Sequence, residues 1–512
     1  MQAMIKQLFS IGIFGALIIA LIAFNLPIAN NVLAQVAPAA TARATRVRQP
    51  KSTVTPEPAA TSQPQESDDA ADVEADAELA PVAPGAMTSQ ILIFNPDPSG
   101  SATAQLDIYD SAGVVAYTTT EFISSNGAKL ITLPNTLGSN FQGSAVISSD
   151  KNIQAIALAA NKNKNSRDAY ESASAPAPKL VIPFARHLMD NTQNSILAIY
   201  NATGANADVT ITFYNADGSQ AHQQTTSLVA HQPFYLNTNA IFPSATFTGS
   251  VTLDATQNIV AALQTRYVRD TAAVRALAMD ELDTLVYLNQ VERKSNAKGV
   301  AQNWSEIFAR NNGANAADIT IEFFSTAGAS LGIHTASGVP ANGSAQFLLN
   351  DAAFNFLGVG FIGWAKITAS EPLGVSALSV SAKAKRLTGA DGLPNAQLNS
   401  RYVCGDTARS ATENSQLTLL NTEARNAKVI VRLFDPNTGA KLAQTRVKLA
   451  PHATTTVKFS DSLFAAVGTN FHGIAIVQTR GATPPKISAS VSNPYGSNKL
   501  TGTTGYLCAP IP

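Results

Sequence analysis

Four stretches of this chain begin with Phe, any residue, then Gly, and run into a short apolar segment. They are FQGSAVI from Phe141, FTGSVTL from Phe247, FIGWAKI from Phe361 and FHGIAIV from Phe471. Their glycines, Gly143, Gly249, Gly363 and Gly473, stand 106, 114 and 110 residues apart. A period of that length is the size of a small domain. The feature therefore constrains a 512-residue chain to repeat one fold instead of building one large core.

Two further markers keep step with the first. An aromatic residue, Tyr109, Tyr214, Phe324 or Phe434, stands 34, 35, 39 and 39 residues before the matching glycine. An asparagine, Asn95, Asn201, Asn311 or Asn421, stands 14, 13, 13 and 13 residues before that aromatic. Between them the pattern is that of a strand. Val209, Ile211 and Phe213 alternate with Thr210, Thr212 and Tyr214, and Ile319, Ile321 and Phe323 alternate with Thr320, Glu322 and Phe324. Period two with one apolar face predicts half-buried strands. The other face drifts: Asp107, Thr212, Glu322 and Arg432 occupy one equivalent position.

Turn clusters such as NADG (Asn215 to Gly218) and DPNTG (Asp435 to Gly439) close these strands, and SSNG (Ser124 to Gly127) and PANG (Pro340 to Gly343) mark a second hairpin. About seven short strands per unit predict an all-β chain of four tandem immunoglobulin-like β-sandwiches. The expected boundaries are 87–178, 179–284, 285–400 and 401–512. Each unit is expected to have its own core and to fold alone. In the repeated motif the Phe (Phe141, Phe247, Phe361, Phe471) reads as a core plug, and the Gly as a point where the backbone bulges or passes close to a neighbour. The stretch from Thr271 to Asp283 reads as a short helix.

With these residues in view, the order Asn201, ADVTITFYNADG (Ala207 to Gly218), then FTGSVTL resembles the tandem β-sandwich repeats of secreted and surface proteins of filamentous bacteria of the Chloroflexi type. The resemblance spans roughly residues 88 to 512. It implies extracellular display, usually without catalysis.

The N-terminal segment agrees with export. Lys6 precedes a 14-residue apolar run, Ile11 to Phe24, and Val32 and Ala34 are the small residues before a cut. Residues 1–34 read as a signal peptide cleaved after Ala34; the alternative is an uncleaved N-terminal anchor. Residues 35–86 are poor in large apolar side chains and carry eight acids between Glu57 and Glu78, so they read as a disordered linker or a charged handle for a wall polymer. No span is expected in the mature chain. Cys404 and Cys508, an even pair in an exported chain, suggest a disulfide; the alternative is two free buried thiols.

Signals for chemistry are few. Charged residues make up 14%, with 35 basic against 35 acidic, which argues against a nucleic-acid partner. Among His187, His222, His231, His334, His452 and His472 no pair has metal-ligand spacing; His231, His452 and His472 read as surface residues. The acids Asp280, Glu281 and Asp283 read as a solvated helix end, and the loops at Asn95 to Gly100 and Asn215 to Gly218 as turns that lack a calcium ligand set. Trp304, Tyr267 and Tyr495 are candidates for stacking on sugar rings. No cofactor, metal or catalytic residue is expected. The expected function is that of a secreted or cell-surface structural or adhesive protein whose partner is a cell-wall or extracellular polymer or another surface protein. A carbohydrate-binding protein is the alternative, and an enzyme a third.

Overall fold

A computed structural model describes residues 16–19 and residues 87–511, other than 139–140, 162–165, 172–175, 189–192, 268–269, 297–299, 383–385, 412 and 496–501. The cleavage site at Ala34 and the linker 35–86 lie outside the described residues. The chain is all-β, arranged as several antiparallel sheets.

The same neighbours recur in each repeat. The first sheet places the Phe-x-Gly strand beside a hairpin. Gly143–Ser149 pairs Ala102–Asp110, which pairs Val115–Ile123. Phe247–Tyr267 pairs Ala207–Asn215, which pairs Gln220–Leu228. Phe361–Ser381 and Phe471–Arg480 pair Ala317–Ser325 and Ala427–Phe434 in the same way. The opposing sheet centres on the strand that ends in the marker asparagine or just before it: Met87–Phe94, Gln193–Asn201, Ala301–Asn311 or Gln416–Asn421. In the second and third repeats one 21-residue strand, Phe247–Tyr267 or Phe361–Ser381, runs through both sheets. In the first and fourth it is broken in two, at Gly143–Ser149 and Gln154–Asn161, and at Phe471–Arg480 and Ile487–Tyr495. Apolar faces expected from the alternation turn inward, with Val209, Ile211, Phe213, Ile319, Ile321 and Phe323 all buried.

The segment Thr271 to Asp283 is not an α-helix. Asp270–Arg275 is a strand on Phe247–Tyr267, and Met279–Glu281 is a single 3-10 turn. Its alanines favour a helix, but an unpaired edge at Ala262 to Tyr267 offers a ladder of hydrogen bonds, and tertiary pairing overrides local propensity.

The first and third repeats each have a core of their own, around Ile93, Leu106 and Ile147 and around Ile307, Ile319 and Ile367, but two other clusters cross between repeats. Phe308, Leu378, Val380 and Leu387 of the third pack into the cluster built on Leu197, Val209 and Phe247 of the second. Leu92, Phe94, Ile156 and Leu158 of the first belong to one cluster with Val403, Leu419 and Val431 of the fourth. One strand late in each repeat also lies beside its counterparts in a cycle: Ser166–Glu171, Asp270–Arg275, Arg386–Asp391, Gly502–Leu507 and back to Ser166–Glu171. A Cβ on Gly389 would fall 2.5 Å from the Ala273 carbonyl oxygen, so these strands meet closely enough to require glycine there. The four repeats thus close on one another, fourth upon first.

Candidate functional site at the joints between repeats

The three sequence markers meet inside each repeat. A Cβ on Gly143, Gly249, Gly363 or Gly473 would fall 2.1, 2.0, 2.0 or 2.5 Å from the carbonyl oxygen of Tyr109, Tyr214, Phe324 or Phe434, respectively. The Phe two residues earlier folds its ring over the same glycine. Phe247, Phe361 and Phe471 are buried and Phe141 is half-buried. The marker asparagines are fully buried polar staples. The Asn201 amide donates to the carbonyls of Ala205, Leu228 and Val229, and its Oδ1 accepts from the Thr203 N–H. Asn95, Asn311 and Asn421 pin their own loops in the same pattern. The spacing located these residues, and the structure supplies the reason: each asparagine satisfies carbonyls that would otherwise be buried without a partner.

The same strand-closing turns make the joints. Gly113, Gly218, Gly328 and Gly439 all have φ between 67° and 91°. Each presses on the second hairpin turn of the next repeat, whose tip is also left-handed: His231 (φ 59°), Asn342 (φ 64°), His452 (φ 55°) and, from the fourth repeat back to the first, Asn126 (φ 52°). One backbone bond recurs. Ser344 N–H donates to Ala216 O (2.9 Å), Thr454 N–H to Thr326 O (3.0 Å) and Ala128 N–H to Pro436 O (2.7 Å). At the first joint the equivalent residue is Pro233, which has no N–H, and the Gln232 side chain donates to Ser111 O instead (3.2 Å).

Side chains at the joints differ where the backbone does not. At the first, Tyr109 stacks on His231 at 4.7 Å and the Tyr200 hydroxyl meets His231 Nδ1 at 3.1 Å. Burial holds the His231 imidazole below its usual range, against the opposing charge of Asp107. At the second, the buried Arg310 donates to Ser250, Thr252 and Asn342 and lies over the Tyr214 ring. Burial brings its guanidinium down to about 10, with Tyr214 and Asp254 acting the other way. Arg186 pairs with Glu306 at 2.8 Å beside the stacked rings of Phe184 and Phe308. At the third, Phe324 and Trp364 stack at 4.0 Å and the Trp364 indole donates to His452 O (2.8 Å). His231 and His452 are therefore half-buried joint residues and not free surface; His472 is exposed. Asp107, Thr212, Glu322 and Arg432 share a register without sharing a joint role.

Other candidates fall into structural duties. Glu281 pairs with Arg275 and accepts from Gln397 of the following repeat, and Asp283 accepts from Ala396 N–H. Asp97 and Asp217 accept from Ser99 and Ser219 within their turns. The bonds from Ser99, with Lys151 beside it, hold the Asp97 carboxyl down at about 2. Trp304 packs against two apolar clusters and donates to Glu306, and Tyr267 is half-buried. Among the described residues no group of three His, Cys, Asp or Glu side chains converges to hold a metal. Among them, too, no helix is long and apolar enough to cross a membrane. Cys404 and Cys508 form a disulfide.

No protein-family description matches the chain, and no curated protein does. Among solved structures, the crystal structure of dimeric latent PorU from Porphyromonas gingivalis aligns at 7% identity with a TM-score of 0.16, over 70% of this chain and 32% of that one. A likeness that slight carries no argument about this protein.

Proposed function

We propose that this chain is an exported, non-enzymatic structural or adhesive protein, held outside the cell or on its surface, in which four immunoglobulin-like β-sandwich units form one closed platform. The observation that supports it is where the large polar and aromatic side chains go. Aromatic and guanidinium groups such as the half-buried Tyr109 and the buried Arg310 and Trp364 are consumed at the joints between repeats. An enzyme of this size would be expected to gather such groups in a cleft. Residues 1–34 act as a cleaved signal peptide, and a disulfide suits the oxidising compartment to which it leads. The resemblance to surface repeats of Chloroflexi-type bacteria points the same way. The platform's partner is a wall or extracellular polymer, or another surface protein.

Carbohydrate binding through exposed rings is less well supported. Among the described residues the exposed phenylalanines, Phe122 and Phe356, stand on different repeats and form no pair. The test is protease treatment of intact cells, with mass spectrometry of the released chain. External cleavage, with an N-terminus at or near Gln35, is expected. A chain protected from protease and retaining Met1 overturns the reading. Saturable binding on a glycan array would favour the carbohydrate alternative.

A further inference from the structure

In three repeats the Phe-x-Gly strand has a strand on each side. One neighbour belongs to its hairpin. The other is the strand that opens the same repeat: Ala177–His187, Asp283–Ser295 or Arg401–Arg409. Where they cross the middle of the sheet, these opening strands carry uncharged, buried triplets. They are Leu180, Val181 and Ile182; Val286, Tyr287 and Leu288; and Tyr402, Val403 and Cys404.

The first repeat departs from this plan. Among the described residues from 87 onward, no strand covers the second edge of Gly143–Ser149. Its partner there is Ala16–Ile19, antiparallel, with Ala16 opposite Ser148 and Ile19 opposite Ala145. That segment lies in the apolar run that export would remove. Between the cut and Met87 the chain has no run of three large apolar residues. The vacated edge, Ser144 to Ser148, contains no Lys, no Pro and no charge, the devices by which native edge strands resist pairing. Two of its side chains, Ala145 and Ile147, are core residues.

We infer that in the mature chain Gly143–Ser149 is an acceptor edge for a strand from another chain. The donor is an extended, uncharged, apolar segment, roughly four to seven residues long, added antiparallel so that main-chain bonds give affinity and alternate side chains enter the core. This rests on the proposed cleavage after Ala34. The donor's chemistry is read from the four strands that occupy this slot across the molecule.

The probe is a labelled synthetic peptide of residues 15–21 (Gly-Ala-Leu-Ile-Ile-Ala-Leu), flanked by lysines for solubility and added to the exported full chain. The N-terminal mass is measured on the same sample. With Gln35 as the N-terminus, saturable binding is expected, with hydrogen exchange at 143–149 slowed by about tenfold or more. The same peptide carrying Ile18→Pro, which loses an N–H and fixes φ, should bind at least about tenfold more weakly. Absence of saturable binding to a chain that begins at Gln35 overturns the inference. So does exchange at 143–149 that is already as slow, without peptide, as in Phe247–Tyr267, because the edge would then be covered from within. An intact Met1 instead overturns the export reading, and the inference falls with it.

Discussion

Gly249 lies against the backbone of Tyr214 so closely that a Cβ at position 249 would sit 2.0 Å from the Tyr214 carbonyl oxygen. Backbone φ is not what requires glycine here, since Gly249 is absent from the left-handed positions. The requirement is space, and it recurs at Gly143, Gly363 and Gly473. Gly249→Ala should therefore destabilise the protein by more than about 1 kcal/mol, because the obstacle is main chain and cannot swing aside. Phe247→Ala should cost about 3–5 kcal/mol, as it removes a ring stacked on Phe242 and edge-on to Phe213. Thermal melts of the full chain check both. Melting points within about a degree of the parent would mean that the motif does not serve folding.

Arg310 tests the second joint. Its guanidinium spans the repeats, reaching Ser250 at 2.9 Å, Thr252 at 2.8 Å and Asn342 at 3.0 Å. Arg310→Ala should cost about 2–4 kcal/mol, since two buried acceptors, Ser250 and Thr252, and the half-buried Asn342 lose a charged donor. Arg310→Lys should recover less than half of the loss, because a point ammonium cannot serve the same fork. Hydrogen exchange should rise on both sides of this joint. A rise confined to the third repeat would show that Arg310 serves its own sheet alone.

Asp391 makes stability depend on pH. Burial raises its carboxyl from 3.8 to about 6, against the opposing effect of Arg275. Its Oδ1 is buried without a hydrogen-bond partner. A carboxyl with a raised folded-state pKa binds its proton more tightly in the folded chain. Its favourable contribution is full below about pH 3.8 and is lost as pH rises through about 6. Asp391→Asn should therefore melt above the parent at pH 7, with the difference vanishing below about pH 4. Melting curves from pH 3 to 8 check this. A gap that stays constant across the range would remove Asp391 as its source.

How much of this was legible in the sequence depends on whether a residue acts within its repeat or across two. Phe247, Gly249, Tyr214 and Asn201 stand in register because they meet inside one repeat, and selection for one fold writes the same spacing four times. The joints are written differently. His231, Arg310 and Trp364 do related work with unrelated chemistry, so no shared letter marks them. Pro233 even removes the one backbone bond that the other joints share. The near-constant period of 106 to 114 residues suggested independent units, each with its own core. Cores joined through Phe308 and Phe94 show why periodicity within a repeat cannot report what lies beside it. The clustered acids Glu281 and Asp283 carried no signal of their reach to Gln397 and Ala396.

The disulfide should govern the one joint that the chain does not cross. First to second, second to third and third to fourth are linked by continuous backbone, but fourth to first is held by contacts alone. Cys404 and Cys508, 104 residues apart, lie in the same apolar cluster as Leu92, Phe94, Ile156 and Leu158 of the first repeat. A Cβ on the adjacent Gly405 would fall 2.7 Å from the Phe94 ring, so the crosslinked strand is pressed directly on that repeat. The bond also fixes Gly502–Leu507, which lies beside Ser166–Glu171. On the chain-entropy account, closing a loop of about 100 residues stabilises by up to about 4.7 kcal/mol. Replacing both cysteines by alanine should lower the melting point, and the loss should appear first at a distance in sequence. Exchange at Ala128, whose N–H donates to Pro436 O, should quicken. Exchange at Ser344, which makes the equivalent bond at the second joint, should hold. If Ala128 stays protected while the fourth repeat alone loosens, the disulfide staples one repeat and the closure of the four stands without it.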